Sequence, residues 1–284
     1  MTVPELTDPR AGRVTAARRL HKRAFRARGR QFLVEGPQAV SEALALPGVV
    51  SELFVTAPAA ERHADLMSAA ADKGASVRLV SGDVFGTLAQ TVTPQGVLAV
   101  CCFVDVRYSE VIGSKPVLVA VLAQVRDPGN AGTVVRCADA AGADAVAFTD
   151  ASVDVYNPKC VRASAGSLFH LPVAVGVPAA AGVADLRAQG VTVLAADGAG
   201  EIDLDTAAEQ GLLKGPTAWL FGNEAWGLPA ATRALADAVV RVPVYGRAES
   251  LNLATAAAVC LYASAAAQRQ PGGCRAEAHG AAAK

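Results

Sequence analysis

Polar side chains follow a short apolar run in the C-terminal half of the chain, at a place where they could bind a ligand. The run Ala218–Phe221 has the length and composition of a buried strand, and it ends in Gly222-Asn223-Glu224. A glycine there lets a ligand approach the backbone, and the next two residues offer an amide and a carboxylate. A β–α turn with solvated polar residues explains the same segment, so both interpretations stay open at this point.

A second such segment places an arginine within a run of small residues. An apolar strand ends before Asp127–Asn130, and a helix is predicted from about Ala131, with Asn130 in the position of an N-cap. Arg136 follows about two turns into that helix, where a guanidinium has to reach solvent, pair with an acid or bind an anion. No G-x-G-x-x-G follows this or any other strand, so a dinucleotide cofactor loses its main support.

The third segment precedes the last helix of the chain. A strand ends near Pro243, a loop carries Glu249, and Ser250 is predicted to cap the final helix, Leu251–Gln268. Asn252 lies in the first turn of this helix, which is apolar on nearly all sides. A buried amide needs hydrogen-bond partners, which makes Asn252 a candidate functional residue.

Length and composition limit the classes of protein to consider. The 284 residues are enough for two domains, and no apolar run reaches the 18 residues that a membrane span needs. We therefore expect a soluble, cytoplasmic protein. The six cysteines show no C-x-x-C spacing and no nearby pair of histidines, so we expect no metal site and no disulfide framework.

The net charge of zero conceals an uneven distribution. Residues 1–30 contain nine basic and two acidic residues and carry +7, so the other 254 residues carry −7. A basic arm on an acidic body favours a polyanionic partner, most simply nucleic acid. A solubilising helix face or a membrane-surface helix is the alternative, although the arm lacks the apolar face of an interfacial helix. The arm residues predicted to bind nucleic acid are Arg18, Arg19, Lys22, Arg23, Arg26 and Arg30.

Two folded domains are predicted to hold these segments. Residues 1–106 begin with a basic helix over Val14–Ala27 and show no paired carboxylates, nucleophile–base pair or phosphate loop, so they are predicted to be an α/β binding module. A polar linker is expected over 107–116, and a disordered tail over 269–284. Residues 117–268 are predicted to form a mostly parallel sheet with helices on both faces. Its strands are expected at Val117–Leu122, Ala145–Phe148, Val173–Val177, Val191–Ala196, Ala218–Phe221 and Val239–Val244.

The three polar segments form recognisable patterns: N-x-G-x-x-x-R-x-A-D (Asn130 to Asp139), F-G-N-E-x-x-G-L (Phe221 to Leu228) and E-S-L-N-L-A-x-A-A-A (Glu249 to Ala258). In this order and spacing they resemble the three motifs of the SpoU/TrmH family, the 2′-O-ribose RNA methyltransferases of the SPOUT superfamily. The resemblance covers roughly residues 116–268. The front of the chain resembles the ribosomal-protein-like substrate-binding domain of the same family.

The resemblance implies an α/β fold with a C-terminal SPOUT domain that contains a deep trefoil knot, preceded by a small N-terminal α/β substrate-binding domain. It implies S-adenosylmethionine as the cofactor, bound in a bent shape mostly through backbone groups. It also implies a homodimer formed through the knot and the final helix. The residues that it assigns to the cofactor are Leu194, Ala195, Ala196, Phe221, Gly222, Asn223, Gly227, Val242, Pro243, Val244, Ser250 and Leu251.

The resemblance also implies roles for five residues in the methylation of a ribose 2′-hydroxyl. The arginine is often proposed as the base in this family, but a guanidinium is very hard to deprotonate in a protein. We therefore expect Arg136 to grip the adjacent phosphate and to stabilise the developing alkoxide. Asn130, Glu224, Ser250 and Asn252 would hold Arg136, the ribose and the loops, and the general base stays unassigned.

RNA is the expected substrate. Lys159 and Arg162 lie in a further segment that resembles the family and would be near the RNA. Ribosomal RNA of the 23S type is favoured because a separate N-terminal domain and a basic arm suit a large folded target, while transfer RNA stays open. Two other classes stay open: an RNA-binding paralogue without catalysis, which the intact motifs disfavour, and a nucleotide-dependent enzyme acting on small molecules, which the missing glycine fingerprints disfavour.

Overall fold

The computed structural model describes residues 5–223 and 225–276, which form a mixture of helices and strands. The first elements are α1 (Gly12–Arg19), α2 (Arg23–Gly29), β1 (Gln31–Glu35), α3 (Pro37–Ala45), β2 (Val50–Val55), α4 (Ala57–Arg62), α5 (Ala64–Asp72), β3 (Ser76–Leu79), α6 (Gly82–Leu88) and β4 (Val97–Cys102). There follow α7 (Tyr108–Gly113), β5 (Leu118–Leu122), α8 (Pro128–Ala141), β6 (Ala145–Thr149), α9 (Pro158–Ser164), a 3₁₀ turn (Ser167–Phe169), β7 (Val173–Val177), α10 (Ala179–Ala188), β8 (Thr192–Ala196), β9 (Ile202–Asp203), α11 (Leu204–Glu209), β10 (Thr217–Phe221), α12 (Ala230–Arg233), β11 (Ala238–Arg241) and α13 (Leu253–Arg269). None of the described helices combines the length and the apolar character that crossing a membrane requires.

The chain divides into two compact units. Unit 1 contains the residues up to Val104 together with Asp154–His170, and unit 2 contains Asp105–Val153 and the chain from Leu171 onward. The predicted second domain was continuous, whereas the structure places α9 and its flanking residues in unit 1. The predicted linker, residues 107–116, includes helix α7.

Aromatic packing explains why Asp154–His170 folds with unit 1. The ring of Tyr156 stacks on Phe103 with 3.7 Å between centroids and lies 4.6 Å from the ring of Phe32. The Tyr156 hydroxyl also accepts a hydrogen bond from the Val104 amide, at 2.8 Å. Burial of large aromatic side chains contributes strongly to packing, and these contacts join residues that are distant in the sequence.

Unit 1 contains a four-stranded sheet in the order β1-β4-β2-β3. The pairs β1–β4 and β2–β4 are antiparallel, and β2–β3 is parallel. The apolar faces of α1 and α6 pack on it through a core that includes Val14, Phe54 and Leu88. The predicted α/β character of this part of the chain is confirmed.

The basic helix predicted over Val14–Ala27 is wrong, because the chain breaks between α1 and α2. Lys22 adopts an extended backbone, with φ −94° and ψ 129°. The carbonyl groups of Leu20 and His21 accept hydrogen bonds from Nη1 of Arg26, at 2.9 and 2.8 Å. In a continuous helix these carbonyls would instead bind amides four residues along the chain.

Unit 2 contains a seven-stranded sheet in the order β7-β6-β5-β10-β8-β11-β9. Every adjacent pair is parallel, which confirms the predicted sheet. All five residues of β5, β6 and β10 are buried, as expected for strands covered by helices on both faces. Strand β11 ends at Arg241, three residues before the predicted end, so residues 242–244 are free to form a loop.

Helices α8 and α13 pack against each other and against the central strands of this sheet. Inside that layer the indole nitrogen of Trp219 donates a hydrogen bond to Ser264 Oγ, at 2.9 Å. Both side chains are fully buried, and the hydrogen bond satisfies polar atoms that burial would otherwise leave unpaired. The pairing fixes α13 along the strand from which the Gly222 loop emerges.

The predicted disordered tail is wrong for residues 269–276. Helix α13 includes Arg269, and the Cys274 amide donates to the Lys214 carbonyl, at 3.0 Å. The Arg275 guanidinium donates to the Gly142 carbonyl, at 2.7 Å, and forms an ion pair with Asp144. Specific partners therefore hold this segment, and the rest of the predicted tail, residues 277–284, lies outside the described residues.

Candidate functional site

A cavity of about 740 Å³ opens in unit 2 at the carboxyl ends of β8, β10 and β11. This is the edge of an open parallel sheet at which ligands bind. Its lining comes from the chain after each of these strands and from the start of α13. The residues that line it are Ala196, Asp197, Gly198, Gly222, Asn223, Gly227, Arg241, Val242, Pro243, Val244, Glu249, Ser250, Leu251, Asn252, Leu253 and Ala256.

The loop after β10 is a tight turn that only glycine allows at two positions. A Cβ on Gly222 would lie 2.5 Å from the carbonyl carbon of Gly227 and from the amide nitrogen of Leu228. Gly227 has φ +68°, a backbone conformation that favours glycine. The amide and carbonyl groups of Asn223 and Gly227 close the turn with hydrogen bonds of 3.0 and 2.9 Å. The cavity wall here is therefore backbone.

The Asn223 side chain links the loop after β10 to the loop after β5. It is only 6% exposed, and its Nδ2 donates to the Gln124 carbonyl at 3.2 Å, while its Oδ1 accepts from the Ala225 amide at 2.8 Å. Gln124 has φ +57°, and its own amide donates to Thr149 Oγ1, at 3.2 Å. Asn223 thus borders the cavity, but its amide group binds the protein.

The start of α13 is joined to α8 by a pair of asparagines. Asn252 Oδ1 accepts from the amides of Ala254 and Thr255, at 2.9 and 3.4 Å, so Asn252 caps α13. Its Nδ2 donates to Asn130 Oδ1, at 3.0 Å. The prediction that Ser250 caps this helix is wrong, because α13 begins at Leu253. Two of the predicted catalytic residues, Asn130 and Asn252, therefore meet directly.

Asn130 is not the cap of α8. Asp127 takes that position and accepts a hydrogen bond from the Asn130 amide, at 2.8 Å, so the helix starts at Pro128 rather than near Ala131. This leaves the Asn130 side chain one turn inside the helix, where it reaches Asn252. The capping role goes to the carboxylate, which accepts well at a helix N-terminus.

Arg136 lies on α8, about 9 Å along the helix axis from Asn130. It is exposed, and within the described part of the chain it makes no hydrogen bond or ion pair and does not line the cavity. Glu224, the fifth predicted catalytic residue, lies outside the described residues. Ser250 is exposed and lines the cavity.

Nine of the twelve residues assigned to the cofactor line the cavity: Ala196, Gly222, Asn223, Gly227, Val242, Pro243, Val244, Ser250 and Leu251. The other three do not line it, and their assignment, which is mostly to backbone groups, stays a prediction. Leu194, Ala195 and Phe221 are at most 1% exposed within β8 and β10, so their side chains belong to the core of the sheet. Strand β8 ends at Ala196, which lines the cavity, whereas β10 ends at Phe221 and the lining begins at the next residue, Gly222.

The lining includes three charged residues: Asp197 and Arg241, which the sequence analysis missed, and Glu249, which it named in the third segment without assigning a role. Asp197 follows β8 directly and lies mostly buried, with 13% of its side chain exposed. Arg241 ends β11, where Nη1 donates to the Gly200 carbonyl at 2.9 Å and Nη2 pairs with Asp203 at 3.3 Å. Their position at strand ends is the signal that could have identified the first two.

The thiols of the two helices beside the cavity are poor nucleophiles. Burial raises the pKa of the Cys137 thiol, against the opposing effect of Arg136. Burial also raises the pKa of Cys260 to about 12. Thiolate is the reactive form of cysteine, so neither residue is suited to covalent catalysis at neutral pH. Among the described residues, no group of three or more His, Cys, Asp or Glu side chains could hold a metal ion.

Unit 1 carries the basic residues that were predicted to bind RNA. Arg18, Arg19, Lys22 and Arg23 are exposed at the end of α1 and the start of α2. Arg26 requires a correction: only 3% of its side chain is exposed, and its Nε and Nη2 donate to Asp154 Oδ2, at 3.1 and 2.6 Å. Its guanidinium is buried and hydrogen-bonded within unit 1, so it does not face a partner.

The remaining predicted RNA contacts also lie in unit 1. Arg30 is exposed in a left-handed backbone conformation, with its guanidinium carbon 5.0 Å from the centroid of the Phe103 ring. Lys159 and Arg162 lie on α9, where the lysine is exposed and the arginine is half-buried. The structure thus collects these cations in the same unit as the basic arm.

Two sequence models of protein families match the chain. The SpoU rRNA methylase family matches residues 117–262, and the MRM3-like substrate binding domain matches residues 12–99. The first match contains the cavity and the three motifs. The second covers α1 to α6 and the first half of β4, including the basic arm from residue 12 onward.

Relatives of this chain include named methyltransferases. The chain is 36% identical over 246 residues to the 23S rRNA (guanosine(2553)-2′-O)-methyltransferase RlmP of Bacillus subtilis, which covers 86% of this chain and 92% of that protein. It is 44% identical over 142 residues to a 23S rRNA (uridine(2479)-2′-O)-methyltransferase of Streptomyces viridochromogenes, covering 48% of this chain and 47% of that protein.

A solved structure is also similar over most of the chain. The AdoMet-bound rRNA methyltransferase from Sinorhizobium meliloti superposes with a TM-score of 0.81 at 32% sequence identity. The superposition covers 92% of this chain and 97% of that chain. Its extent includes both the sheet of unit 2 and the N-terminal part.

Proposed function

Because the chain belongs to the SpoU rRNA methylase family, we propose that it transfers a methyl group from S-adenosylmethionine to a ribose 2′-hydroxyl of ribosomal RNA. The observation that carries this proposal is the cavity at the ends of β8, β10 and β11. The motifs that begin at Phe221 and Glu249 line it, and the hydrogen bond between Asn252 and Asn130 joins the motif that begins at Asn130 to its rim. Three segments far apart in sequence therefore meet at one place.

The lining fits the cofactor. A volume of about 740 Å³ lies within the range of small-molecule sites. The wall at Gly222 and Gly227 is bare backbone. A side chain at Gly222 would clash with the backbone of Gly227 and Leu228, and one at Gly227 would strain the turn because its φ is positive. Residues 242–244 and Leu251 would close the opposite side. When bound, S-adenosylmethionine supplies an electrophilic methyl group, so the chain has to supply positioning and charge stabilisation.

The protein residues must then manage a ribose hydroxyl that is a poor nucleophile until it loses its proton. We assign Arg136 to the phosphate next to that ribose, because a guanidinium binds phosphate through two parallel hydrogen bonds and stays protonated. There it would also stabilise the developing alkoxide. The Asn130–Asn252 pair would hold α8 against the cavity rim, Ser250 would contact the ribose or cofactor, and the role of Glu224 remains a prediction.

Methyl transfer in vitro tests the proposal. The purified chain is incubated with isotopically labelled S-adenosylmethionine and either unmodified 23S ribosomal RNA or unmodified transfer RNA, and the RNA is digested to nucleosides for mass spectrometry. Label in a 2′-O-methylated nucleoside of 23S RNA is the expected result. Label in transfer RNA alone would move the substrate to that class, and cofactor binding without any transfer would favour the paralogue that has lost catalysis.

The role of Arg136 is tested by two substitutions. Arg136→Lys keeps the charge but loses the bidentate geometry, so methyl transfer is expected to fall strongly. Near wild-type transfer by this variant would contradict phosphate gripping. Arg136→Ala is expected to weaken RNA binding and to leave cofactor affinity unchanged. If Arg136 acted only as a base, its loss would leave RNA binding intact.

The two relatives differ in the nucleoside that their names give, a guanosine in one and a uridine in the other, so they do not indicate one target nucleoside. We propose that the RNA is bound by unit 1, through exposed cations of the α1–α2 segment together with Arg30, Lys159 and Arg162. Arg26 is excluded from this set by its burial. A ribosomal substrate is consistent with the cytoplasmic location predicted from the sequence.

We further propose that the chain after β10 is knotted and that two copies associate through α13. The order of strands supports the knot, since β10 lies between β5 and β8 and the following loop turns back tightly at Gly222. Exposed Val259 and Tyr262 on α13 support the dimer. Light scattering of the purified chain tests the dimer: the mass of one copy, 28.8 kDa, would contradict it.

A further inference from the structure

Helix α2 exposes its phenylalanine and buries an arginine. Phe25 is 37% exposed, whereas Arg26, the next residue, is 2% exposed. Phenylalanine is among the residues most often buried in proteins, and arginine is almost never fully buried unless it is paired. The two neighbouring residues therefore both depart from the usual burial of their residue types.

The folding explanation lies in the partners of Arg26. Its guanidinium donates to the carbonyls of Leu20 and His21 and to Asp154. These contacts fix the rotation of the helix about its axis. Successive residues of a helix point about 100° apart, so the inward position of Arg26 directs Phe25 away from the same interior.

The surroundings of the exposed ring are cationic. The guanidinium carbon of Arg19 lies 5.6 Å from the centroid of the Phe25 ring. Lys22, Arg23 and Arg28 are exposed on the same short segment. A cation over an aromatic face is a modest attraction at an exposed site, and it leaves the ring in contact with solvent and with anything that the cations attract.

An aromatic ring within a cluster of cations matches the chemistry of single-stranded nucleic acid. Cations bind the phosphates, and aromatic side chains or guanidinium planes stack on unpaired bases. The carboxylates of an acidic protein surface would pair with the cations but would not stack on the ring. A membrane surface would require a broader apolar face than one phenylalanine offers.

We propose that Phe25 is a stacking platform for an unpaired base of the RNA, next to the exposed cations of the α1–α2 segment. The base takes the face of the ring that Arg19 covers, and the Arg19 guanidinium moves to a neighbouring phosphate. The inference rests on the proposed function, since it requires an RNA substrate. It adds that unit 1 selects an unpaired stretch of that RNA.

The test compares two RNA probes on the full-length chain, a 20-nucleotide single-stranded oligoadenylate and a fully paired RNA duplex of the same length. Dissociation constants are measured by fluorescence anisotropy over a series of salt concentrations. Phe25→Ala is expected to weaken binding to the single strand about 5- to 150-fold, the range for loss of one stacking aromatic. Binding to the duplex and the salt dependence of both affinities should not change, because no charge is removed.

Three further variants separate stacking from charge and from apolar surface. Arg28→Ala should weaken both probes and reduce the steepness of the salt dependence, by about 0.7 per lost phosphate contact for the single strand. Val92→Ala removes a fully exposed apolar side chain elsewhere in unit 1 and should change neither probe. Phe25→Trp should retain affinity, and its indole fluorescence should be quenched by the oligoadenylate.

Wild-type affinity of Phe25→Ala for the single strand, or an equal loss with both probes, overturns the inference. Thermal unfolding of each variant is measured alongside, and Phe25→Trp keeps the test decisive if the alanine variant is unstable. Methyl transfer by the wild-type chain is measured in parallel. If the wild type methylates ribosomal RNA while Phe25→Ala binds normally, only this inference fails; if the wild type binds no RNA and transfers no methyl group, the proposed function fails with it.

Discussion

The cavity of unit 2 and the α1–α2 segment of unit 1 use their polar side chains in the same way but expose different groups. At the cavity, the amides of Asn223 and Asn252 bind backbone groups and Asn130, and the surface that is left for a ligand includes bare backbone at glycine. In the α1–α2 segment, Arg26 binds backbone carbonyls and Asp154, and the surface carries cations and one aromatic ring. In both regions, polar residues that were predicted to bind a ligand (Asn223, Asn252 and Arg26) instead bind other parts of the protein, and neighbouring groups face solvent.

The largest effect is expected from the buried arginine of unit 1. Arg26→Ala should lower the free energy of unfolding by about 3–5 kcal/mol, because Asp154 and two carbonyls lose their partner in a buried site. Arg28→Ala, at an exposed position on the same helix, should change it by no more than about 0.5 kcal/mol. Urea denaturation followed by circular dichroism measures both. Equal stability of the two variants would contradict the structural role of Arg26.

The next effect concerns the glycine wall of the cavity. Gly222→Ala places a Cβ against the backbone of Gly227, and such overpacking costs about 1–3 kcal/mol. Because the clash displaces the backbone that forms the cavity wall, we also expect cofactor affinity, measured by calorimetry, to fall by about fivefold or more, which corresponds to about 1 kcal/mol or more of binding free energy. Gly198 also lines the cavity but has open space where its Cβ would lie, so Gly198→Ala should bind the cofactor nearly as the wild type does. Similar affinities for the two variants would count against the backbone wall.

A smaller effect is expected at the cap of α13. Asn252→Ala removes the cap and should cost about 1 kcal/mol of stability. Asn252→Asp keeps an acceptor for the helix amides but loses the donor to Asn130. It should therefore be stable while methyl transfer falls.

The control for this prediction is Asn157→Ala in unit 1. Asn157 caps α9 by accepting from the Lys159 amide, at 2.9 Å. Its loss should cost a similar amount of stability without changing cofactor affinity. If Asn252→Asp transfers methyl groups at the wild-type rate, the pair with Asn130 has no part in catalysis.

The smallest effect is a dependence on pH from His21 in unit 1. Burial lowers the pKa of His21 in the folded chain, and Nε2 lies 2.9 Å from the Leu88 carbonyl. The unfolded chain, with a pKa of about 6.5 at this residue, binds the proton more readily below that pH, so acidification from pH 7.5 to 5.5 should lower stability. His21→Gln keeps a donor for the carbonyl and should reduce the fall in Tm over this interval. An unchanged fall in Tm for His21→Gln would contradict this role of His21.

The strands were predictable and several helix ends were not, for reasons visible in particular elements. Val173–Val177 was predicted with its observed ends, and Ala218–Phe221 within one residue, because a buried strand needs an apolar run and little else. The break at Lys22 was missed, since the carbonyls before it bind a side chain that a pattern of periodicity does not reveal. At α13 the sequence predicted Ser250 as the cap and placed Asn252 in the first turn, and the fold gives the capping position to Asn252.

The amino-acid sequence alone determined the class of fold, six of the seven strands of the large sheet and, through the family resemblance, most of the residues around the cavity, because apolar runs, turn glycines and motif spacing act over a few residues. Only the tertiary structure decided that Arg26 turns inward, that Asp154–His170 joins unit 1 and that Asn252 reaches Asn130. These outcomes depend on partners 128 residues apart in the first case and 122 in the last. A side chain's orientation is set by the partner that satisfies it, and that partner is known only once the chain has folded.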